Sequence, residues 1–251
     1  KRGAEAQTSE PGASPNRWSW VEGCVWTEAM LAALESGVKG GKWYSLMDKV
    51  YALRTLEAAW QRVQANAGAR GIDRMSVEVF AANAPRYLTE LSQALRTGSY
   101  APQAVRRVNI PKAGGGQRPL GIPTVKDRVV QAALKSVLEP IFEREFMQSS
   151  YGFRPRRGCK DALREVQHQL DAGRVWVVDA DLKSYFDTIC HERLMGKLKR
   201  RIADRKVLQL IERYLKQDIV TQVESWSPLT GTPQGAVLSP LLANVYLHDL
   251  D

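Results

Sequence analysis

Three aspartates fall within one short stretch, VVDADLKSYFDTI, from Val177 to Ile189: Asp179, Asp181 and Asp187. The apolar run leading into them, RVWVV, reads as a buried strand. Carboxylates are costly in such a place unless a cation or hydrogen-bond donors meet them. Side chains alternate along a strand, so Asp179 and Asp181 share one face while Val178 and Ala180 take the other. A carboxylate at the C-terminal end of a central strand is a suitable ligand for Mg²⁺, and phosphoryl transfer commonly uses two metal ions held by carboxylates from different strands. The plainer alternative, a strand-end aspartate that accepts backbone hydrogen bonds, stays open on these residues alone. Asp187 follows after a turn into a helix and suits a cap or a structural pair.

The charge pattern points to an anionic partner, either nucleic acid or a membrane surface. The chain of 251 residues carries a formal net charge of +9. Between Tyr100 and Lys160 there are twelve Lys or Arg against four Asp or Glu, a local excess of +8 that accounts for nearly all of it. Such focusing suits a surface that binds a phosphate backbone. Arg106, Arg107, Lys112, Arg118, Arg154, Arg156 and Arg157 stand beside glycines, prolines and aromatics, which a merely solvated helix face does not need. GGGQRP lacks the order of a nucleotide P-loop. Lys112 and Arg118 nevertheless flank a bend able to close over a triphosphate, with a plain tight hairpin as the alternative. Cys24, Cys159 and Cys190 are too few and scattered for a disulfide scaffold or, beside His191 alone, a zinc site, and read as reduced thiols of a cytoplasmic protein. No run approaches the 18 apolar residues of a membrane span, and no secretory signal is visible.

With 44% apolar residues the chain can bury a sizeable core. Residues 1–17 read as a flexible lead-in, followed by an anchor at Trp18, Trp20 and Trp26. Leu46, Val50, Leu53, Leu56, Trp60 and Val63 recur at helical steps from Tyr44 to about Asn66. After the glycine-rich NAGARGIDRMS come one or two helices from Val77 to Leu95, with Pro85 at a break or a first turn and Gly98 closing them. Val105 to Ile110 alternates as a strand, and KAGGGQRP makes a hairpin. Thr124 caps a helix running to Leu138, before Pro140. Beyond the irregular, basic SYGFRPRRG the pattern predicts a helix at Asp161 to Leu170 and the aspartate-bearing strand at Arg174 to Ala180. Two basic helices follow at His191 to Arg201 and Asp204 to Lys216, then a strand at Ile219 to Trp226, the turn PLTGTPQG, and a helix at Ser239 to Leu250. This order predicts an α+β fold.

Six blocks carry a resemblance to a known family: KWYSLMDKVY, NAGARGIDRMSVEVF, YAPQAVRRVNIPKAGGGQRPLGIPTVKDRVVQAAL, SYGFRPRRGCKDAL, VWVVDADLKSYFDTICHERLM and TPQGAVLSPLLANVYLHDLD. In this order and spacing, across roughly residues 42–251, the chain resembles the fingers and most of the palm of a bacterial group II intron reverse transcriptase, or maturase. The resemblance implies a right-hand polymerase fold: helix-rich fingers with a β-hairpin over 42–160 and an incomplete antiparallel palm sheet over 161–251. It implies RNA-directed DNA synthesis with two Mg²⁺ ions, and help in splicing of the intron RNA. Asp181 matches the first metal-binding aspartate and Leu182 the residue whose carbonyl also faces a metal. Phe186 matches the aromatic that excludes a 2′-hydroxyl, with Tyr185 packed beside it, and Lys112 and Arg118 match the triphosphate ligands. Gln234 and Gly235 match the turn lining nucleotide and template, Arg154 a residue near the templating strand, and the segment around Ala67 to Met75, with Gly71 in it, an extra N-terminal element that covers the template and helps grip intron RNA.

The implied partners are intron RNA, an RNA template with a DNA primer, and dNTPs; a homodimer through the fingers is compatible with this, and no membrane is involved. One departure matters. The family's Y-A-D-D motif, which supplies the other metal-binding carboxylate, does not occur in these residues. The expectation is therefore that 1–251 alone does not synthesise DNA. Two rivals remain: a splicing or RNA-binding protein without enzymatic activity, and a reverse transcriptase serving antiphage defence or diversity generation.

Overall fold

The structure, a computed structural model, describes residues 17–111 and 114–250. Lys112 and the expected lead-in at 1–16 lie outside the described residues. In chain order the elements are α1 (Glu28–Ser36), α2 (Met47–Tyr51), α3 (Leu53–Asn66), α4 (Val77–Ala82) and α5 (Ala84–Thr97), then strands β1 (Val105–Pro111) and β2 (Gln117–Ile122). There follow α6 (Val125–Glu143), α7 (Cys159–Asp171), α8 (Tyr185–Thr188), α9 (His191–Arg201) and α10 (Arg205–Leu215), strands β3 (Ile219–Val220) and β4 (Ser225–Trp226), and α11 (Ser239–Leu247).

Helix α6 is the pillar of the fold. It is buried along almost its whole length, with Asp127, Arg128, Gln131 and Glu143 buried beside its apolar residues, and α2, α3, α5 and α11 pack around it. Thr124 caps it as expected, its Oγ1 accepting from the Asp127 amide at 3.1 Å. The helix does not stop at Leu138; it runs through Pro140 to Glu143. Proline has no N–H to offer the Ser136 carbonyl four residues back. The Trp26 indole Nε1 donates to that carbonyl instead, at 3.1 Å, so the break in the ladder leaves no buried acceptor unpaired.

The helical stretch from Tyr44 to Asn66 is divided at Ala52, where Ser92 Oγ donates to the Tyr51 carbonyl at 2.7 Å. Pro85 sits in the first turn of α5, and Gly98 ends that helix in the left-handed region at φ +78°. Asp204 ties an early segment of the chain to a late one. Its Oδ1 accepts from the amides of Lys206 and Val207 at the start of α10, and its Oδ2 from those of Leu46 and Met47 at the start of α2, at 2.9 and 2.8 Å.

The sheet is small and mixed, in the order β2-β1-β3-β4. β1 and β2 form the expected antiparallel hairpin, from Arg106 opposite Ile122 to Pro111 opposite Gln117, with Gly115 and Gly116 at positive φ in the turn. β3 lies parallel to β1, with Val105 opposite Ile219. The single strand expected over Ile219 to Trp226 is in fact two short strands that fold back on each other. Thr221 Oγ1 turns the chain by accepting from the amides of Val223 and Glu224 at 3.2 and 2.9 Å.

The strand expected at Arg174 to Ala180 is not formed among the described residues. Trp176 is 95% exposed and Val178 94%. A strand exists only through its ladder, and none of the described strands pairs with this run. The preceding helix α7 forms where expected but buries no residue; Leu163, Val166 and Leu170 stand on an uncovered face. The last helix closes at Leu247 rather than Leu250.

Candidate active site

The glycine turn 230–235 is bonded to two other segments at once. On one side the Gly121 amide of β2 donates to the Gln234 carbonyl at 2.6 Å. A Cβ on Gly235, whose φ is +101°, would lie 2.7 Å from the Gly121 carbonyl and from Leu120 Cδ1, so only glycine fits. On the other side, Gly231 donates to the Ile189 carbonyl and Thr232 to the Phe186 carbonyl, both at 2.8 Å. Thr230 Oγ1 donates to the Asp187 carbonyl at 3.1 Å, and His191 Nε2 donates to the Gly231 carbonyl at 2.7 Å. β2, the turn and α8 are thus one joint.

Side chains of the sequence-predicted site converge on this joint. Arg118 Nε donates to Gln234 Oε1 at 3.2 Å, and Gln234 Nε2 donates to Asp187 Oδ2 at 3.3 Å. Phe186 is half-buried and meets Phe153 edge-on, with ring centroids 6.3 Å apart. Tyr185 is the packed neighbour, its hydroxyl donating to the Ala243 carbonyl at 2.7 Å. Arg118, Phe186, Gln234 and Gly235 are therefore brought together, and Asp187 joins them.

The carboxylate side is built differently. Asp179 and Asp181 are exposed, and neither has a hydrogen-bond or ion-pair partner among the described residues. Leu182, 49% exposed, lines a groove of about 820 Å³ with Tyr185, Thr188, Arg193 and Lys197. Asp181 is thus open to take a cation, and Mg²⁺ is commonly held by one or two carboxylates together with water and substrate phosphates. A two-metal site needs further carboxylates, and no group of three metal-ligating side chains occurs among the described residues.

The arginines divide into two sets. Arg154, expected near the template, is turned inward. Its guanidinium pairs with Glu143 at 2.7 Å and donates to the carbonyls of Met147 and Ser150. With its donors spent on holding the 147–154 loop, it offers no free face to a nucleic acid. Arg157 donates to the Gln148 carbonyl at 2.6 Å and lies over the Tyr151 ring, while Arg156 reaches Ser19 Oγ at 3.0 Å. Arg107 lies over the Trp226 ring, 5.3 Å from its centroid.

Arg106 and a residue the sequence reading passed over, Arg128, organise the loop after α3. Arg106 Nε donates to the Arg70 carbonyl at 3.0 Å. Arg128 is buried and donates to the carbonyls of Pro123 (3.1 Å), Ala67 (3.2 Å) and Ala69. Burial pushes the Arg128 pKa down, with Asp73 opposing and Arg106 adding to the fall. Gly71 packs so closely on α6 that a Cβ would lie 2.6 Å from Thr124 Cα. The loop's carbonyls face inward and Arg70 and Arg74 face solvent. The signal in the sequence was Lys126-Asp127-Arg128, three adjacent charges that run straight into the apolar positions Val129 and Val130.

Asp127 sits in a second buried network. It accepts from Tyr100 Oη, Thr124 Oγ1 and the Gln103 amide, and Tyr100 in turn meets Tyr214 Oη at 2.7 Å. Burial pushes the Asp127 carboxyl above its ordinary range, against these hydrogen bonds. Both tyrosines are pushed well up, first by burial.

Comparison with known proteins fits this arrangement. Residues 110–251 match the family model for reverse transcriptase (RNA-dependent DNA polymerase). The chain is 40% identical over 196 residues to the group II intron-encoded protein LtrA of Lactococcus lactis subsp. cremoris, an alignment covering 77% of this chain and 32% of that protein. It is 41% identical over 185 residues to protein YkfC of Escherichia coli (strain K12), covering 72% of this chain and 49% of that one. Among solved structures it resembles a chain of a partial Cas6-RT-Cas1–Cas2 complex, with a TM-score of 0.55 and 26% identity, over 82% of this chain and 34% of that one. This chain thus spans about a third to a half of the length of these curated relatives. It belongs to the reverse transcriptase (RNA-dependent DNA polymerase) family, and within it is similar to the group II intron-encoded proteins.

Proposed function

We propose that the protein containing this chain copies RNA into DNA and also binds group II intron RNA as a maturase. The observation that carries this reading is the joint that gathers Arg118, Gln234, Gly235 and Phe186 in a chain of the reverse transcriptase family. A primer 3′-hydroxyl would attack the α-phosphorus of a dNTP, and pyrophosphate would leave. Arg118 and Lys112 would offset charge on the β- and γ-phosphates. Phe186 would lie beneath the sugar and exclude a 2′-hydroxyl. Asp181 and the Leu182 carbonyl would hold Mg²⁺, which when bound lowers the charge on the reacting and leaving oxygens. The remaining carboxylates would come from the length that the relatives carry beyond the matched part.

The template would run across the basic fingers surface, contacting Arg70, Arg74, Arg106, Arg107, Arg156 and Arg157 through phosphates and 2′-hydroxyls. Arg154 and Gly71 would act beneath that surface, shaping its loops. No helix of the described residues is long and apolar enough to cross a membrane, and a cytoplasmic setting suits the proposed work. The greater identity to intron-encoded proteins than to the Cas-associated chain favours the intron reading over a defence role.

Primer extension by the full-length protein tests this. Asp181→Asn is expected to lower the rate by about a hundred-fold or more, as loss of a metal ligand should. Near-wild-type extension by that variant would overturn the assignment. In the same assay Phe186→Val should raise ribonucleotide incorporation relative to deoxynucleotide.

A further inference from the structure

We infer that Asp187, which the sequence suggests is only a structural residue, is a positioning residue for the incoming nucleotide and acts by fixing the Gln234 carboxamide. A glutamine amide has two ends of nearly equal shape, and its neighbours decide which way it points. Here an acceptor and a donor flank it. Asp187 Oδ2 accepts from Nε2 at 3.3 Å, and Arg118 Nε donates to Oε1 at 3.2 Å. A carboxylate only accepts and a guanidinium only donates, so both neighbours demand the same orientation. Reversing the amide would set an NH₂ against the arginine and an oxygen against the carboxylate.

The backbone holds Asp187 in place for this task. Its carbonyl accepts from Thr230 Oγ1, and a Cβ on Gly231 would lie 2.8 Å from that same carbonyl. The aspartate and the glutamine are thus carried by two segments already bonded together, and Arg118 stands on the strand bonded to the far side of the turn. Arg118 and Asp187 are exposed, Gln234 is half-buried and the contacts are long, so they add little to folding. Their effect is directional. With Nε engaged by Gln234, the Arg118 Nη groups remain for phosphate oxygens, and the Gln234 amide presents one defined edge to a nucleoside triphosphate.

This inference rests on the polymerase reading of the site, and one experiment separates the two. Steady-state dNTP incorporation is measured for full-length wild type, Asp187→Leu, Asp187→Asn, Gln234→Leu and the double Leu variant. Asp187→Leu should raise KM for dNTP about five-fold, roughly the effect of one hydrogen bond, with kcat nearly unchanged. Asp187→Asn keeps an acceptor oxygen of the same reach and should restore most of the loss. The double variant should be no worse than Gln234→Leu, since the aspartate acts only through the glutamine. An unchanged KM in Asp187→Leu, multiplying effects in the double variant, or equal losses in the Asn and Leu variants would overturn the positioning role while wild-type activity upholds the polymerase reading. An inactive wild type would overturn both.

Discussion

Gly231, Thr232 and Gly235 lie in a turn whose backbone is bonded to β2 on one side and to α8 on the other. Val175 to Val178, barely ten residues before α8, stand in water with 73–95% of their surface exposed. Both segments belong to one candidate site, and both carry residues that the resemblance assigns to it. The nucleotide side closes through contacts among residues 118–121, 186–191 and 230–235, all within the described chain. The aspartate-bearing run 174–181 pairs with none of the described strands. On the proposed reading, the segments that would grip substrate are interlocked locally, while the aspartate run that would hold Mg²⁺ has no strand partner among the described residues.

Three measurements on this chain can break or sharpen that contrast. The largest effect should come from Gly235→Ala. Its Cβ would meet the Gly121 carbonyl at 2.7 Å, at a φ of +101° that alanine resists, so urea denaturation should show a loss of roughly 2–4 kcal/mol. A loss below about 0.5 kcal/mol would mean that the joint is not locked by its backbone.

A smaller effect should follow pH at Asp127, which lies in the helical core beside neither half. Its carboxyl is raised by burial in the folded state, so folding favours the protonated form. That contribution is complete below the unfolded value of about 3.9 and is lost as pH rises through the folded one. Asp127→Asn is neutral throughout, so the stability of wild type relative to this variant should fall as pH is raised from 4 toward 7. A gap that widens instead would show the hydrogen bonds from Tyr100, Thr124 and Gln103 outweighing burial.

The smallest effect is expected at Trp176→Ser. The indole is 95% exposed, so in residues 1–251 the change should alter stability by no more than about 0.5 kcal/mol. A loss of several kcal/mol would mean that the run is packed in solution and that the contrast between the two sides is wrong.

Local signals were the legible ones. The Thr124 cap, the Gly98 stop, the hairpin around Gly115 and Gly116 and the apolar stripe of α10 each depend on neighbours a few residues away, and each formed where the pattern indicated. What failed to show depends on distant partners. RVWVV has strand composition, but composition does not provide a ladder. Pro140 looked like a helix end because nothing nearby announces that Trp26 will take the Ser136 carbonyl. Arg154 looked like a surface cation because its buried counter-charge, Glu143, lies on another element. At the site, residue type and order marked Arg118, Phe186, Gln234 and Gly235 through the resemblance. The link from Gln234 to Asp187 crosses 47 positions and required the folded turn to reveal it.

Asp204 has a bearing on how such a protein could be dissected. One carboxylate caps α2 with one oxygen and α10 with the other, across 158 positions of chain. Deletion mapping trims proteins from one end and reads what is lost as a property of the part removed. Here a cut that removes α10 together with Asp204 also strips the start of α2 of these bonds, so a defect created late in the sequence would be felt early in it. A loss of RNA binding in such a truncation would then say as much about the first helices as about the last.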